Sequence, residues 1–411
     1  MNRAARIGIV VVSVVIFCYA GLGHVLGRAT DDKAYKSLTV YGEVLQKIQQ
    51  DYVDDPNMHT VTAGSLHGLL ESLDPQSSYL TPREYDEYKK KLQNSGTGET
   101  GLTLSKRYGY VIVLSVLPDS PGTKAGVRSG DIFESIGGFT TRDMSVGQAL
   151  NLLSGQPGTG IRVAVIRRGK ATPDEVDLVR EKLATSKIIV QKADSDILVL
   201  RLPSLDAGRA DEVRNRLLEA EKQGVRKVIV DLRECGRGPV SEAISLARLF
   251  VPSGTLTTLR GQTVSAQVFS AEPKQVVWRN TLSVLIDATT SGAAEVFASA
   301  IVANHRGDVV GERTFGLASE QKLITMDDGA ALILTVANYY NPGGKSILEE
   351  GITPTEIVRA VPEDSDSGDD DAAPAPETQK EPGLGPRPLS PEDPIFHRAL
   401  DLLNPPVKKA A

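Results

Sequence analysis

Two short stretches hold the residues most worth weighing as chemistry. Ser291-Gly292-Ala293-Ala294-Glu295 opens a helix-like run, and Phe315-Gly316-Leu317-Ala318 follows a strand-like one. A serine nucleophile needs a base, and a buried lysine can serve as well as a histidine. Ser291 has neither beside it in sequence. Placed at a helix start, it reads as an N-terminal cap, with Glu295 near the positive end of the dipole. Cys235, on a turn after the apolar run Lys227-Val-Ile-Val-Asp-Leu-Arg233, is a second nucleophile candidate. Without a base or a helix N-terminus beside it, its thiol stays protonated. Lys322 and Ser319 lie near Leu317 in sequence, but neighbours in a strand alternate faces. The histidines His24, His59, His67, His305 and His397 show neither metal-ligand nor triad spacing, so no metal and no other cofactor is expected.

Elements must position these groups. Residues 33–95 carry apolar residues at helical spacing, interrupted by Ser72–Tyr85, which reads as an irregular polar segment. From Thr97 to about Leu183 short strands and glycines take over. An amphipathic helix ends at Gly155, and Ile161–Gly169 reads as the final strand of that domain. From 186 to 358 apolar strands alternate with helices, which argues for an α/β layer structure. Pro362–Asp393 is acidic and proline-rich, a composition that cannot bury enough apolar area to fold, and a short helix comes after it. The expected organisation is 1–30 membrane segment, 31–96 helical region, 97–183 small β domain, 184–361 α/β core, 362–393 linker and 394–411 terminal helix and tail.

Bulk composition narrows the classes. The net charge of −6 makes nucleic acid an unsuitable partner for the whole chain. Two cysteines, Cys18 and Cys235, give no disulfide framework. Arg3 and Arg6 precede an apolar run, Ile7–Gly27, long enough as a helix to cross a bilayer core of roughly 30 Å. The run is long and no Ala-x-Ala site comes after it, so a retained anchor is favoured over a cleaved signal peptide. The rest of the chain would be exported, giving a periplasmic protein held at a bacterial inner membrane.

Three segments resemble the carboxy-terminal processing peptidases, the tail-specific proteases of family S41. Ser72–Tyr88 is similar to their N-terminal signature, Asp119–Gly138 to their PDZ domain, and Gly311–Gly316 with Ala337–Val358 to the end of their protease core. The resemblance implies a mixed α/β fold: an N-terminal helical segment, a β-barrel-like PDZ domain and a core of the ClpP/crotonase type. It also implies a serine–lysine dyad. Aligning Glu295 with the family's glutamate puts Gly292 at the nucleophile position and Leu317 at the base position, with the family's spacing and no gap. Gln321 matches a retained glutamine. Gly238 and the backbone N–H of Ala293 are the oxyanion candidates, and Arg237 replaces a glycine of that region.

In the PDZ resemblance, Thr100–Leu104 supplies the carboxylate loop around Gly101, Leu102 and Leu104 line a peptide groove, and Val146, Leu150 and Leu153 form its other wall. The other reading of these apolar residues is plain core. The expectation is thus an exported, catalytically inactive homologue that binds protein or peptide carboxy-termini as a scaffold or regulator of proteolysis. An active paralogous protease and a lipoprotein adaptor are partners suggested by analogy, and the membrane is contacted through the anchor. The rival expectation is an active endopeptidase using Ser291 or Cys235; a third is a scaffold acting through the acidic tail.

Overall fold

Val228, Ile229 and Val230 are fully buried, as the middle strand of a sheet covered on both faces requires. Their strand, Lys227–Asp231, pairs in parallel with Ile197–Arg201 on one side and Thr281–Ile286 on the other. Asp308–Gly311 and Glu356–Ile357 extend the sheet in parallel, and Ile189–Asp194 closes the opposite edge antiparallel. Helices Arg209–Lys222, Val240–Arg248 and Ala293–Ala303 contribute to the larger apolar core, with Leu217, Leu246 and Phe297 wholly buried. Helix Pro394–Leu403 places Ile395, Phe396, Ala399 and Leu403 in a second cluster with Ile197, Val199, Ile229, Leu285 and Val310. Alternate residues of the parallel strands thus serve separate cores.

A second sheet joins Ser78–Leu80, Ala331–Tyr340, Thr255–Arg260 and Gln267–Ser270, with Ser319–Thr325 also on Ala331–Tyr340. The segment Ser72–Tyr85, expected to be irregular, therefore contains a core strand: Ser78, Tyr79 and Leu80 pair with Ile333, Leu332 and Ala331. Asp74 secures it, accepting from Ser77 N and Oγ at 2.9 and 2.7 Å and from Thr335 Oγ1 at 3.0 Å. Three residues are too few for an alternation to declare itself.

The small β domain has strands Leu102–Arg107, Tyr110–Val116, Ile132–Ile136, Gly160–Ile166 and Asp174–Val179, with Phe139–Thr140 beside Ile132–Ile136. Gly160–Ile166 is not the last of them. Asp174–Val179 pairs with it, and its acidic, largely exposed residues hide a single buried anchor, Leu178.

The computed structural model describes residues 36–94, 96–167, 172–359 and 393–404. The chain divides into two units, Met1–Ser65 and Leu66–Ala411. In the first, a helix spans 36–51 and the helix Met58–Glu71 begins, and the hydroxyls of Tyr41 and Ser65 hydrogen-bond. The apolar run Ile7–Gly27 and the acidic segment up to residue 392 lie outside the described residues. Among those described, no helix is long and apolar enough to cross a membrane.

Candidate functional site

The helix Ala293–Ala303 comes after the buried strand Thr281–Ile286 through a tight turn. Asp287 Oδ1 builds that turn, accepting from Thr289 N and Thr290 N at 3.0 and 2.7 Å. Gly292 is the cap residue, with φ 63° and ψ −121°. A side chain there would be strained, yet a β-carbon would meet nothing within 4 Å. Position 292 therefore faces open space on a sharp strand-to-helix turn, the geometry that exposes a nucleophile.

Glu295, fully buried, ties this turn to the second stretch. Its Oε2 accepts from Gly292 N at 2.8 Å and from Leu317 N at 2.7 Å. Because one oxygen receives both, the two amides lie no farther apart than those bonds laid end to end. Oε1 accepts from Thr314 Oγ1 and Gly316 N, each at 2.6 Å. Burial pushes the carboxyl up to about 7, although all four donors favour its ionised form. Gly292 and Leu317 are thus brought together. Gln321 is not in this cluster; its exposed amide donates to Ser319 Oγ at 2.7 Å.

Ser291 does not cap the helix, contrary to the expectation. It precedes the cap by one residue, and the reciprocal bond at the helix start is made by Glu295 instead. Ser291 N donates to Cys235 O at 3.0 Å. Its buried hydroxyl finds no partner among the described residues and lies 2.6 Å from where a Gly236 β-carbon would stand.

The turn after Lys227–Asp231 meets the same place. Cys235 has no exposed surface, and burial pushes its thiol up to about 12, which keeps it protonated. Gly238, at φ 126°, passes so close to Leu205 that a β-carbon would fall 2.1 Å from the Leu205 carbonyl oxygen. Arg237 O accepts from Leu205 N at 2.8 Å, and the Arg237 guanidinium pairs with Glu99 at 2.7 Å. Ala293, the first helical residue, is buried, and its N–H is among the donors that a helix start leaves unpaired. Above Gly236 lie Ser115 and Thr103 of the small β domain, and Arg107 stacks on Phe315 at 5.5 Å. That domain therefore sits against both stretches.

Beside the strand Leu102–Arg107 and the helix Val146–Leu153 is a cleft of about 500 Å³. Leu102, Leu150 and Leu153 line it. Leu104 and Val146 are not among its lining; with Leu102 and Leu153 they belong to the core of the small domain. A bulge between Thr103 and Leu104 breaks the alternation that would keep Leu102 and Leu104 equivalent. Gly101, at φ 78°, leaves room for Ser120, whose β-carbon would lie 2.3 Å from one added at 101. A third wall, not expected from the sequence, comes from Tyr88, Lys91 and Leu92 of helix Pro82–Gln93 and from Ile333 of the core. The stripe Tyr85, Tyr88, Leu92 on an otherwise charged helix was the available signal.

The chain is similar to known proteins in sequence and in fold. Residues 196–358 match the model of peptidase family S41, and residues 112–167 match a PDZ domain. The chain is 28% identical to a carboxy-terminal-processing protease of Bartonella bacilliformis over 336 residues, 80% of this chain and 76% of that one. It is 29% identical over 322 residues to a carboxyl-terminal-processing protease of Synechocystis, covering 76% and 74% of the two chains. The photosystem II D1 C-terminal processing protease shares its fold, with a TM-score of 0.65 at 23% identity over 78% of this chain and 92% of that one.

Proposed function

We propose that this chain, whose residues 196–358 match peptidase family S41 and whose residues 112–167 match a PDZ domain, no longer cleaves peptides but binds protein carboxy-termini. The observation that carries the proposal is the carboxylate oxygen of Glu295 shared by the amides of Gly292 and Leu317. The frame that would hold a serine and a lysine is assembled, and neither position has a hydroxyl or an amine. Losing a nucleophile and its base together removes on the order of 10⁶ in turnover. The relocated nucleophiles lack support: Cys235 is sealed and protonated, and Ser291 has no base bonded to it among the described residues.

The PDZ cleft, lined by Leu102, Leu150 and Leu153, supports binding of apolar carboxy-termini. In this reading the protein is a scaffold or regulator of proteolysis. The N-terminal apolar run holds it at the extracytoplasmic face of a membrane, where an active paralogous protease or a lipoprotein adaptor is its partner.

Incubation with an unstructured substrate carrying a free apolar carboxy-terminus is expected to leave that substrate intact. Cleavage abolished by Ser291→Ala or Cys235→Ala overturns the proposal. Gly292→Ser combined with Leu317→Lys is expected to introduce measurable hydrolysis, because the frame already brings both positions together.

A further inference from the structure

The cleft contains a cation that the binding reading leaves unused. Lys91 belongs to helix Pro82–Gln93, outside the PDZ match. Its ammonium donates to the carbonyl and side-chain oxygens of Asn151 at 2.5 and 2.6 Å. Among the described residues, no carboxylate lies within ion-pair distance of it. Burial lowers its pKa, although the nearby Glu87 acts to raise it. Glu99, the acidic residue in the cleft lining, is already paired with Arg237 at 2.7 Å.

Position gives this cation a meaning. Thr97 Oγ1 donates to the Lys91 carbonyl at 2.9 Å. Gly98 and Gly155 exchange backbone bonds at 2.6 and 3.0 Å, which fastens residues 97–100 to the chain just beyond helix Val146–Leu153. Lys91 therefore stands where the loop around Gly101 meets that helix end. Toward the start of the same helix, the elements are tied shut. Lys106 Nζ binds both Glu71 oxygens at 2.9 Å and the carbonyls of Arg142 and Met144 at 2.8 and 2.9 Å. Gln148 Nε2 donates to Glu84 at 2.7 Å, and Gly147 N to Ser78 Oγ at 3.3 Å.

Resting on the reading that the cleft takes carboxy-termini, we propose that Lys91 is the counter-ion of the ligand's terminal carboxylate. Leu102, Leu150, Leu153, Tyr88 and Ile333 then receive an apolar terminal side chain, and the receptor is the PDZ domain together with a helix outside it. The competing role for Lys91 is structural, satisfying carbonyls at a helix end.

Calorimetry on the full chain separates the two, using a short peptide ending in leucine as its free acid and as its amide. The wild type is expected to bind the acid about tenfold more tightly, the scale of one charge-assisted contact. Lys91→Met and Lys91→Gln are expected to abolish that preference, and Lys91→Arg to keep it. The glutamine variant retains a donor for Asn151, so it isolates charge from packing. If the wild type binds both forms equally, the carboxy-terminus reading and this proposal fall together. If the wild type prefers the acid and Lys91→Gln still does, only the assignment of Lys91 falls, and its role is the structural one.

Discussion

Gly292 and Gly238 are both at positive φ in the candidate site, but for different reasons. At Gly238 a β-carbon would collide with the Leu205 carbonyl, so the backbone itself must move. At Gly292 the space is open and only the dihedral resists. Gly292→Ser is therefore expected to lower the unfolding free energy by about 1–3 kcal/mol and leave the fold intact. Gly238→Ala is expected to lose more than about 4 kcal/mol, the range of severe backbone clashes. Urea titrations of the two variants provide the comparison, and equal losses would contradict the geometry. Glu295 adds a pH dependence. Its carboxyl lies at about 7 in the folded chain against an ordinary 4.5. The raised value means that its contribution to stability is complete below about 4.5 and is lost as pH rises through about 7. The integrated effect is on the order of 3 kcal/mol. The stability difference between wild type and Glu295→Gln should accordingly be larger at pH 4.5 than at pH 8, and parallel pH profiles would sink the assignment.

The helix Pro394–Leu403 shows how much of an element's role depends on distant partners. The helix itself was legible, but the face it covers was not. Asp393, capping it through Ile395 N and Phe396 N, also binds Arg233 at 2.5 Å, and Arg233 in turn grips the buried Asp231 at 2.9 Å. Phe396→Ala should lower stability by about 3 kcal/mol, since a large buried side chain leaves a cavity. An unchanged urea midpoint would mean that the helix does not hold that face. The same contrast runs through the chain. Lys227–Asp231 and Thr281–Ile286 were readable because both their faces are buried, which enforces continuous apolar residues. Ile189–Asp194 and Gln267–Ser270 were not, because mostly exposed edge strands are free to be polar. At the site, Gly292, Leu317 and Glu295 were legible through the family resemblance. The contact of Glu99 with Arg237 joins residues 138 positions apart, and no local pattern encodes it.

At the scale of the second unit, Arg237 and positions 292 and 317 belong to one arrangement. Arg237 occupies a turn whose neighbour, Gly236, packs beneath Ser115 and Thr103, and its ion pair with Glu99 holds the PDZ domain's edge over that turn. Arg107 on Phe315 holds the same edge over the second stretch. A chain with serine at 292 and lysine at 317 would therefore still have that edge beside both stretches. Both partners of the Arg237–Glu99 pair are more than a third exposed, so the pair itself adds at most about 1 kcal/mol. Its removal should shift the position of the domain edge without unfolding the chain. Arg237→Gly added to Gly292→Ser/Leu317→Lys is expected to raise hydrolysis of an unstructured peptide above that of the double variant. It breaks the ion pair with Glu99 and returns a glycine to the turn. Glu99→Gln on the double variant separates these effects, since it breaks the ion pair and leaves the turn unchanged. If Glu99→Gln raises the rate as far as Arg237→Gly does, coverage is the barrier. If only Arg237→Gly raises it, the barrier is the turn itself. If neither does, the ion pair does not hold the cleft closed.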